Sequence, residues 1–129
     1  MKVLVILTAL IVGSILGLRA VLQNGSLLRY MDEHPNPTIV PNVEYVVGHV
    51  YYLLGDLQQS STTFLRIAER YPKSDNADDA YYWYLQSQDD LNIPRIVMAD
   101  MYQSYLDRFP SGIHTDIVAH RVLFCRNNR

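Results

Sequence analysis

Hydrophobic positions divide this chain into an apolar N-terminal run and a longer region with helical periodicity. Residues 3–18 are apolar apart from Thr8 and Ser14, and counting through Leu22 gives a segment long enough to cross a bilayer as one helix. Arg19 interrupts the run, but its long side chain can reach the lipid headgroups. The pattern predicts a transmembrane or signal-anchor helix over residues 1–22.

A cleaved signal peptide is the alternative interpretation of the same run. Signal-peptide cleavage favours small residues at the cut and three positions before it, and Leu18-Arg19-Ala20 offers only one of them. Lipoprotein processing would need a cysteine directly after the apolar run, and this region has none. The sequence therefore favours an uncleaved anchor in the membrane.

Small residues recur every four positions within the apolar run, at Ala9, Gly13 and Gly17. Such residues let two helix backbones approach closely in lipid, where packing drives association. Glycine is also common in membrane helices that make no such contact. We interpret Ala9, Gly13 and Gly17 as a packing face for a second membrane helix, from another copy or another protein.

Residues 23–41 are predicted to form a juxtamembrane segment and a proline-rich linker. Asn24-Gly25 is a break signal, and Leu27, Leu28 and Met31 suit a short amphipathic helix. That helix should stop before Pro35, because proline disfavours helix in the residue that precedes it.

From residue 42 onward the apolar residues recur at i, i+3, i+4 and i+7, which is the spacing of amphipathic helices. Five such stripes predict helices that cover about 42–54, 57–71, 77–85, 94–109 and 115–126. Gly55-Asp56 and Asp89 to Asn92 are predicted turns between them. No segment has the alternation of a strand, so the fold class is predicted to be all-α, with a helical domain over 42–129.

The chain also contains an internal repeat. Glu69-Arg70-Tyr71-Pro72 is matched 38 residues later by Asp107-Arg108-Phe109-Pro110. At the same offset Phe64 corresponds to Tyr102. A period of this size is typical of stacked helical hairpins, which need a neighbouring unit to bury their apolar faces.

These residues resemble a tetratricopeptide repeat (TPR). The first unit carries small, aromatic and proline residues at that motif's spacings: Gly48, Tyr51, Gly55, Ser60, Phe64 and Pro72. A second unit, residues 77–110, matches at Tyr102 and Pro110 but lacks the Gly-Asp turn. The endings resemble a bacterial envelope subgroup that includes outer-membrane assembly lipoproteins and the Tol–Pal coordinating protein. The resemblance implies a short α-hairpin solenoid of about two and a half repeats.

The resemblance further implies a partner groove lined by the first helix of each hairpin. The corresponding positions are Asn42, Tyr45, His49, Tyr52, Trp83, Ser87 and Asp90. Aromatic residues on a groove favour an extended peptide or a partner helix, since they supply large contact area at small entropic cost. Packing between helices is the alternative role for Tyr45, Tyr52 and Trp83.

Composition and motifs argue against catalysis. The net charge is −2, which does not suggest a nucleic-acid binder, and the single cysteine, Cys125, cannot form an internal disulfide. The four histidines lack metal-ligand spacing, and the acidic run from Asp75 to Asp79 is better explained by helix capping than by calcium binding. Without a recognisable nucleophile–base pair or phosphate loop, we expect no enzyme, no cofactor, no metal and no small-molecule substrate.

Together these features predict a non-catalytic, membrane-anchored TPR adaptor, an accessory or scaffolding subunit of a larger membrane protein complex. Its expected partners are other protein subunits, and its N-terminal helix crosses the bacterial inner membrane once, with the repeats in the periplasm. The alternative function is a free periplasmic TPR binding or chaperone-like module in envelope assembly, with a cleaved signal peptide.

Overall fold

The computed structural model describes residues 2–128, and every regular element within them is an α-helix. No β-strand occurs in this range, so the predicted all-α class is confirmed. The helices, in chain order, are α1 (Lys2–Gln23), α2 (Ser26–Glu33), α3 (Val40–Leu53), α4 (Leu57–Arg70), α5 (Ala77–Asp90), α6 (Arg95–Arg108) and α7 (Thr115–Asn127).

The chain divides into two units, and the first, which ends at Asn36, holds α1 and α2. Within residues 2–128, α1 is the one helix long and apolar enough to cross a membrane by length and composition, a criterion that a signal sequence also meets. Each residue from Lys2 to Val21 is exposed, as a lipid-facing helix requires.

Helix α2 begins after Gly25, whose φ of 62° lies in the left-handed region. Glycine adopts this conformation without steric cost, which explains the break predicted at Asn24-Gly25. The helix ends at Glu33, with His34 as its C-cap directly before Pro35. The short helix predicted from Leu27, Leu28 and Met31 is therefore present.

The second unit, which begins at Pro37, holds α3 to α7. Helix α3 starts at Val40, two residues earlier than predicted, with Pro41 in its first turn. Proline suits this position because the first N–H groups of a helix have no intrahelical acceptor. The linker predicted to extend through residue 41 is thus shorter than expected.

The turns after α3 and α5 both contain one residue in the left-handed region, Gly55 (φ 77°) and Asn92 (φ 60°). This conformation ends a helix sharply, and glycine and asparagine are the residues that tolerate it best. After the first of these turns the carboxylate of Asp56 accepts a 3.2 Å hydrogen bond from the backbone N–H of Gln59 and so caps α4.

Helices α3 and α4 pack closely because Gly48 has no side chain. A Cβ atom at this position would lie 2.8 Å from Cε1 of Phe64, whose ring is fully buried. Beside them the hydroxyl of Ser60 donates a 2.9 Å hydrogen bond to the carbonyl of Gly48. The small residues of the predicted TPR-like pattern therefore stand where two helix backbones meet.

An ion pair also joins these two helices. The Glu44 side chain on α3 is completely buried, and its Oε1 accepts hydrogen bonds from Nη2 (2.8 Å) and Nε (3.3 Å) of Arg66 on α4. A charge removed from water needs such compensation to be tolerated.

The main core of this unit lies between α5, α6 and α7 and extends to Ala68 on α4. Cys125 belongs to it, as a small buried hydrophobe, and burial raises the pKa of its thiol. The buried members of this core are Ala68, Tyr81, Leu85, Met98, Ala99, Tyr102, Tyr105, Val118, Val122 and Cys125.

Candidate functional site

The four α3 residues predicted for the partner groove share one side of the helix, and that side is directed at α5. The Asn42 side-chain oxygen accepts a 2.5 Å hydrogen bond from Nδ2 of Asn76. The hydroxyls of Tyr45 and Tyr52 donate to Asp79 and Asp90 respectively. We call this surface the α3–α5 face. It comprises Asn42, Tyr45, His49, Tyr52, Asp79, Trp83 and Asp90.

Trp83 is the centre of an aromatic cluster on this face. The rings of His49 and Tyr52 stand edge-on to the indole, with centroids 4.8 and 5.4 Å away and interplanar angles of 75° and 72°. Phe64 lies nearly parallel to the indole at 6.3 Å and is fully buried. Edge-to-face rings at these distances attract one another.

The exposed parts of this cluster are available to a partner. Tyr45, His49, Tyr52 and Trp83 are all partly exposed, whereas Phe64 beneath them has no exposed surface. Each ring packs on one side and faces solvent on another, so these residues do pack between helices, and their role as a partner groove stays a prediction. Large, partly exposed and well-supported aromatic side chains are typical anchors of protein interfaces.

Ser87 does not belong to this surface, although its position in the repeat predicted that it would. Its side chain is fully buried, and its hydroxyl donates a 2.9 Å hydrogen bond to the carbonyl of Trp83. The Ser60 hydroxyl lies 3.4 Å from it. Ser87 therefore packs between α4 and α5, where no partner can reach it in this conformation.

Two pairs of consecutive aspartates, Asp78-Asp79 and Asp89-Asp90, lie at the two ends of α5, and every one of them accepts a tyrosine hydroxyl. The first of each pair bonds to α6: Asp78 to Tyr105, and Asp89 to Tyr102 at 2.8 Å. The second of each pair bonds to α3: Asp79 to Tyr45, and Asp90 to Tyr52. Polar cross-links thus join α5 to α3 and to α6.

His114, the residue before α7, also contacts Asp79. Its Nε2 lies 2.5 Å from Oδ1 of Asp79, and its ring stacks on Tyr82 with centroids 3.8 Å apart. Its backbone N–H donates to the hydroxyl of Tyr105 at 3.0 Å. The sequence reasoning missed both His114 and Asp79.

The repeat does not identify Asp79. At its offset of 38 residues Tyr45 corresponds to Trp83, whereas the contacts of Asn42 and Tyr45 with Asn76 and Asp79 span 34 residues. His114 is not identified either, because it lies in a turn outside the repeat.

The electrostatic state of the α3–α5 face follows from these contacts. Burial and the hydrogen bond to Asp79 raise the pKa of Tyr45 to about 12. The hydrogen bond to Asp90, with burial second, raises the pKa of Tyr52 to about 12. At neutral pH both phenols are therefore neutral donors, and they add no positive charge beside the carboxylates.

His49 has a lowered pKa, because burial disfavours its charged form more than Asp79 favours it. It therefore adds little positive charge to the face near neutral pH. Within residues 2–128, no three His, Cys, Asp or Glu side chains converge as a metal site would require. The chemistry of the face is that of aromatic surface and carboxylate oxygens.

The residues predicted for helix packing in the membrane lie on α1. Ala9, Gly13 and Gly17 are exposed, and no atom lies within 4 Å of a Cβ built at either glycine. The packing face itself stays a prediction.

Comparison with known proteins finds no family model that matches the chain and no matching curated protein. Over the residues that the structure describes, the fold is all-α, with one helix suited to a membrane by length and composition and five helices in a separate unit.

Proposed function

We propose that this chain is a non-catalytic adaptor that is anchored in a membrane by α1 and docks partner proteins through TPR-like repeats. In this role it is an accessory or scaffolding subunit of a larger membrane protein complex. The observation that carries the proposal is the α3–α5 face, where partly exposed aromatic rings from two helices form one continuous surface.

The repeat in the helices supports the TPR-like part of the proposal. Each helix from α3 to α6 has 14 residues. Both hairpin turns contain one left-handed residue, Gly55 or Asn92. Helices α4 and α6 end alike, at Tyr71 (φ −127°, ψ 55°) and Phe109 (φ −128°, ψ 66°). Two successive helix pairs of matching length, followed by a final helix, α7, correspond to two and a half repeats, with α5 and α6 in less extensive contact than α3 and α4.

The properties of α1 support the membrane anchor. Its exposed side chains are almost all apolar, and a soluble protein would have to cover so large an apolar surface. A bilayer or other membrane helices would cover it, with Ala9, Gly13 and Gly17 as the side where a neighbouring helix approaches most closely. Within this proposal the membrane is the bacterial inner membrane and the repeats lie in the periplasm.

Affinity purification of the tagged full-length chain from native membranes in mild detergent tests the proposal. We expect other membrane proteins to co-purify in stoichiometric amounts. A chain that purifies alone after mild solubilisation would contradict an accessory-subunit role.

Substitutions on the α3–α5 face and on α1 test the docking of a partner and the association in the membrane separately. Trp83→Ala combined with Tyr45→Ala should release the docked partner, whereas Phe124→Ala, an exposed aromatic on α7 and therefore outside the α3–α5 face, should not. Gly13→Leu combined with Gly17→Leu should weaken association in the membrane. Thr8→Leu, on the other side of α1, is the matched control.

The second candidate function is a free periplasmic binding or chaperone-like module in envelope assembly, with α1 as a cleaved signal peptide. It is favoured by the fact that a signal sequence meets the same length and composition criterion as α1. The intact mass of the mature protein separates the two candidates. A mass that includes the α1 residues supports the anchor, and a mass without them supports the free module.

A further inference from the structure

The α3–α5 face carries acids but no lysine or arginine. Neither α3 nor α5, residues 40–53 and 77–90, contains a lysine or an arginine. Helix α3 contributes one acid, Glu44, which is buried against Arg66 on α4, away from the face. Helix α5 contributes four aspartates, two in its first turn and two in its last.

Two of these four aspartates belong to the face, and two do not. Asp89 turns to α6 and lies 3.7 Å from Nη1 of Arg121, and Asp78 accepts the backbone N–H of Ile113 at 2.8 Å. Asp79 and Asp90 turn to α3 instead, where their partners are the hydroxyls of Tyr45 and Tyr52.

The carboxylates of Asp79 and Asp90 are the two negatively charged groups of the face, one at each end of it. The carboxylate of Asp90 is exposed. Asp79 also contacts His114, and its side chain keeps 21% of its surface exposed. Hydroxyl groups satisfy hydrogen-bonding capacity but supply no positive charge, so a cation brought by a partner would gain a charge-assisted interaction at both sites.

The distance between these two carboxylates sets the length of a segment that could contact both. They are 11 residues apart on one helix, which corresponds to about 16 Å at 1.5 Å per residue. Between them lies the aromatic cluster around Trp83, whose indole is edged by His49 and Tyr52. The face therefore presents an order of groups: a carboxylate, partly exposed aromatic rings, and a second carboxylate.

We propose that the α3–α5 face binds a cationic segment of a partner protein, with lysine or arginine side chains at Asp79 and Asp90 and an apolar or aromatic side chain against Trp83. This inference rests on the proposed docking function and specifies the chemistry of the partner. An extended segment covers the distance with about five residues, at roughly 3.3 Å each. Aromatic faces also attract ammonium and guanidinium groups. The aromatic cluster and the two carboxylates therefore both favour a segment that carries basic residues.

Fluorescence quenching tests the charge of the face directly, because Trp83 is the single tryptophan of the chain. In the full-length protein in neutral detergent, caesium ions should quench Trp83 emission more effectively than iodide does, relative to free N-acetyltryptophanamide. Asp79→Asn combined with Asp90→Asn should remove this difference. Asp100→Asn, which removes one negative charge from an exposed position on α6, should leave it largely intact. A preference for iodide, or equal quenching by both ions, would overturn the proposal.

Selection from a displayed library of random twelve-residue peptides tests the specificity. We expect the full-length protein to enrich peptides with two basic residues about five positions apart around an apolar or aromatic residue. Their affinity should fall at least tenfold in the Asp79→Asn, Asp90→Asn variant and little in Asp100→Asn. Enrichment of acidic or uncharged peptides, no enrichment at all, or an equal loss in Asp100→Asn would overturn the proposal.

The docking function and the charge preference can fail separately. If Trp83→Ala with Tyr45→Ala releases the co-purified partner but the two asparagine substitutions do not, docking at the face stands and the cationic segment is wrong. If neither pair of substitutions releases the partner, the docking function itself is wrong.

Discussion

The hydroxyl of Tyr45 on α3 donates its hydrogen bond to Oδ2 of Asp79 on α5, 34 residues further along the chain. The ring of the same tyrosine packs edge-on against Phe64, with centroids 5.9 Å apart. One side chain therefore joins a polar contact between two helices to the aromatic core beneath them. The two contributions can be separated by removing the hydroxyl and keeping the ring.

Tyr45→Phe should lower the free energy of unfolding by about 1 kcal/mol, the usual net contribution of one hydrogen bond. Asp79 keeps its contact with His114 and some exposure to water, so its carboxylate is not left buried and unsatisfied. Urea unfolding of the full-length protein in detergent measures the change. Tyr71→Phe, at the end of α4 and outside the α3–α5 face, is the control. A loss of the same size there would show that the effect is not specific to the bond with Asp79.

High pH should destabilise the protein through the same tyrosines. The pKa of Tyr45 and that of Tyr52 rise from 10.0 to about 12 in the folded state. A group with a raised folded-state pKa contributes its full stabilisation below the unfolded pKa and loses it as the pH rises through the folded one. Stability should therefore fall between pH 10 and pH 12.

The matched variant for this pH effect is Tyr45→Phe combined with Tyr52→Phe. Urea midpoints at the two ends of the window should differ less in this variant than in the wild type. Tyr51, Tyr84, Tyr102 and Tyr105, whose pKa values burial also raises, should account for the decline that remains. Identical slopes in both proteins would contradict the assignment to Tyr45 and Tyr52.

Gly48→Ala should destabilise the second unit, although alanine is the better helix former by about 1 kcal/mol. The added Cβ would lie 2.8 Å from a ring atom of Phe64, and this buried ring is held by Tyr45, His49 and Trp83. Overpacking of a core costs about 1–3 kcal/mol, so we expect a net loss of about 1 kcal/mol in thermal or urea unfolding.

Phe64→Leu supplies the double-mutant cycle for this contact. In that background Gly48→Ala should cost less, because the smaller side chain leaves room for the new methyl group. Additive effects of the two substitutions would show that Gly48 matters for some reason other than its distance from Phe64.

Arg66→Met should be among the most destabilising substitutions on α4. It removes a cation 2.8 Å from the completely buried carboxylate of Glu44, and loss of one member of a buried pair costs about 3 kcal/mol or more. Arg66→Met with Glu44→Gln should recover part of the loss, since the charge is removed as well. Chemical denaturation of the two variants gives the comparison. If the double variant is no more stable than the single one, the charge of Glu44 is not the cause.

Local pattern predicted the helices well and the contacts between them less well. The apolar stripe and Pro72 predicted a helix over 57–71, and α4 covers Leu57–Arg70. In α5, by contrast, Asp89 and Asp90 were assigned to a turn, yet they form the last turn of the helix. Acids are unfavourable at a helix C-terminus, and here the tyrosine hydroxyls that bond to them compensate. Such compensation comes from distant residues, which local propensity cannot detect.

The candidate site shows the same limit. Asn42, Tyr45, His49 and Tyr52 were placed on one side of α3 from the repeat alone, and their contacts with α5 agree with that placement. Ser87 was assigned to the surface but is buried, because Ser60 on α4 and the carbonyl of Trp83 offer its hydroxyl polar neighbours. A small polar side chain fits either environment, so a position in a repeat does not decide its exposure.

The alternation of the aspartates on α5 makes the length of this helix as important as its residue types. Asp78 and Asp89 bond to α6, while Asp79 and Asp90 bond to α3, so both ends of the helix present matching sides at a separation of 11 residues. One residue inserted between Ala80 and Gln88 would rotate one end by about 100° relative to the other. Homologous proteins that keep this arrangement should therefore tolerate substitutions in the middle of α5 far more readily than insertions or deletions.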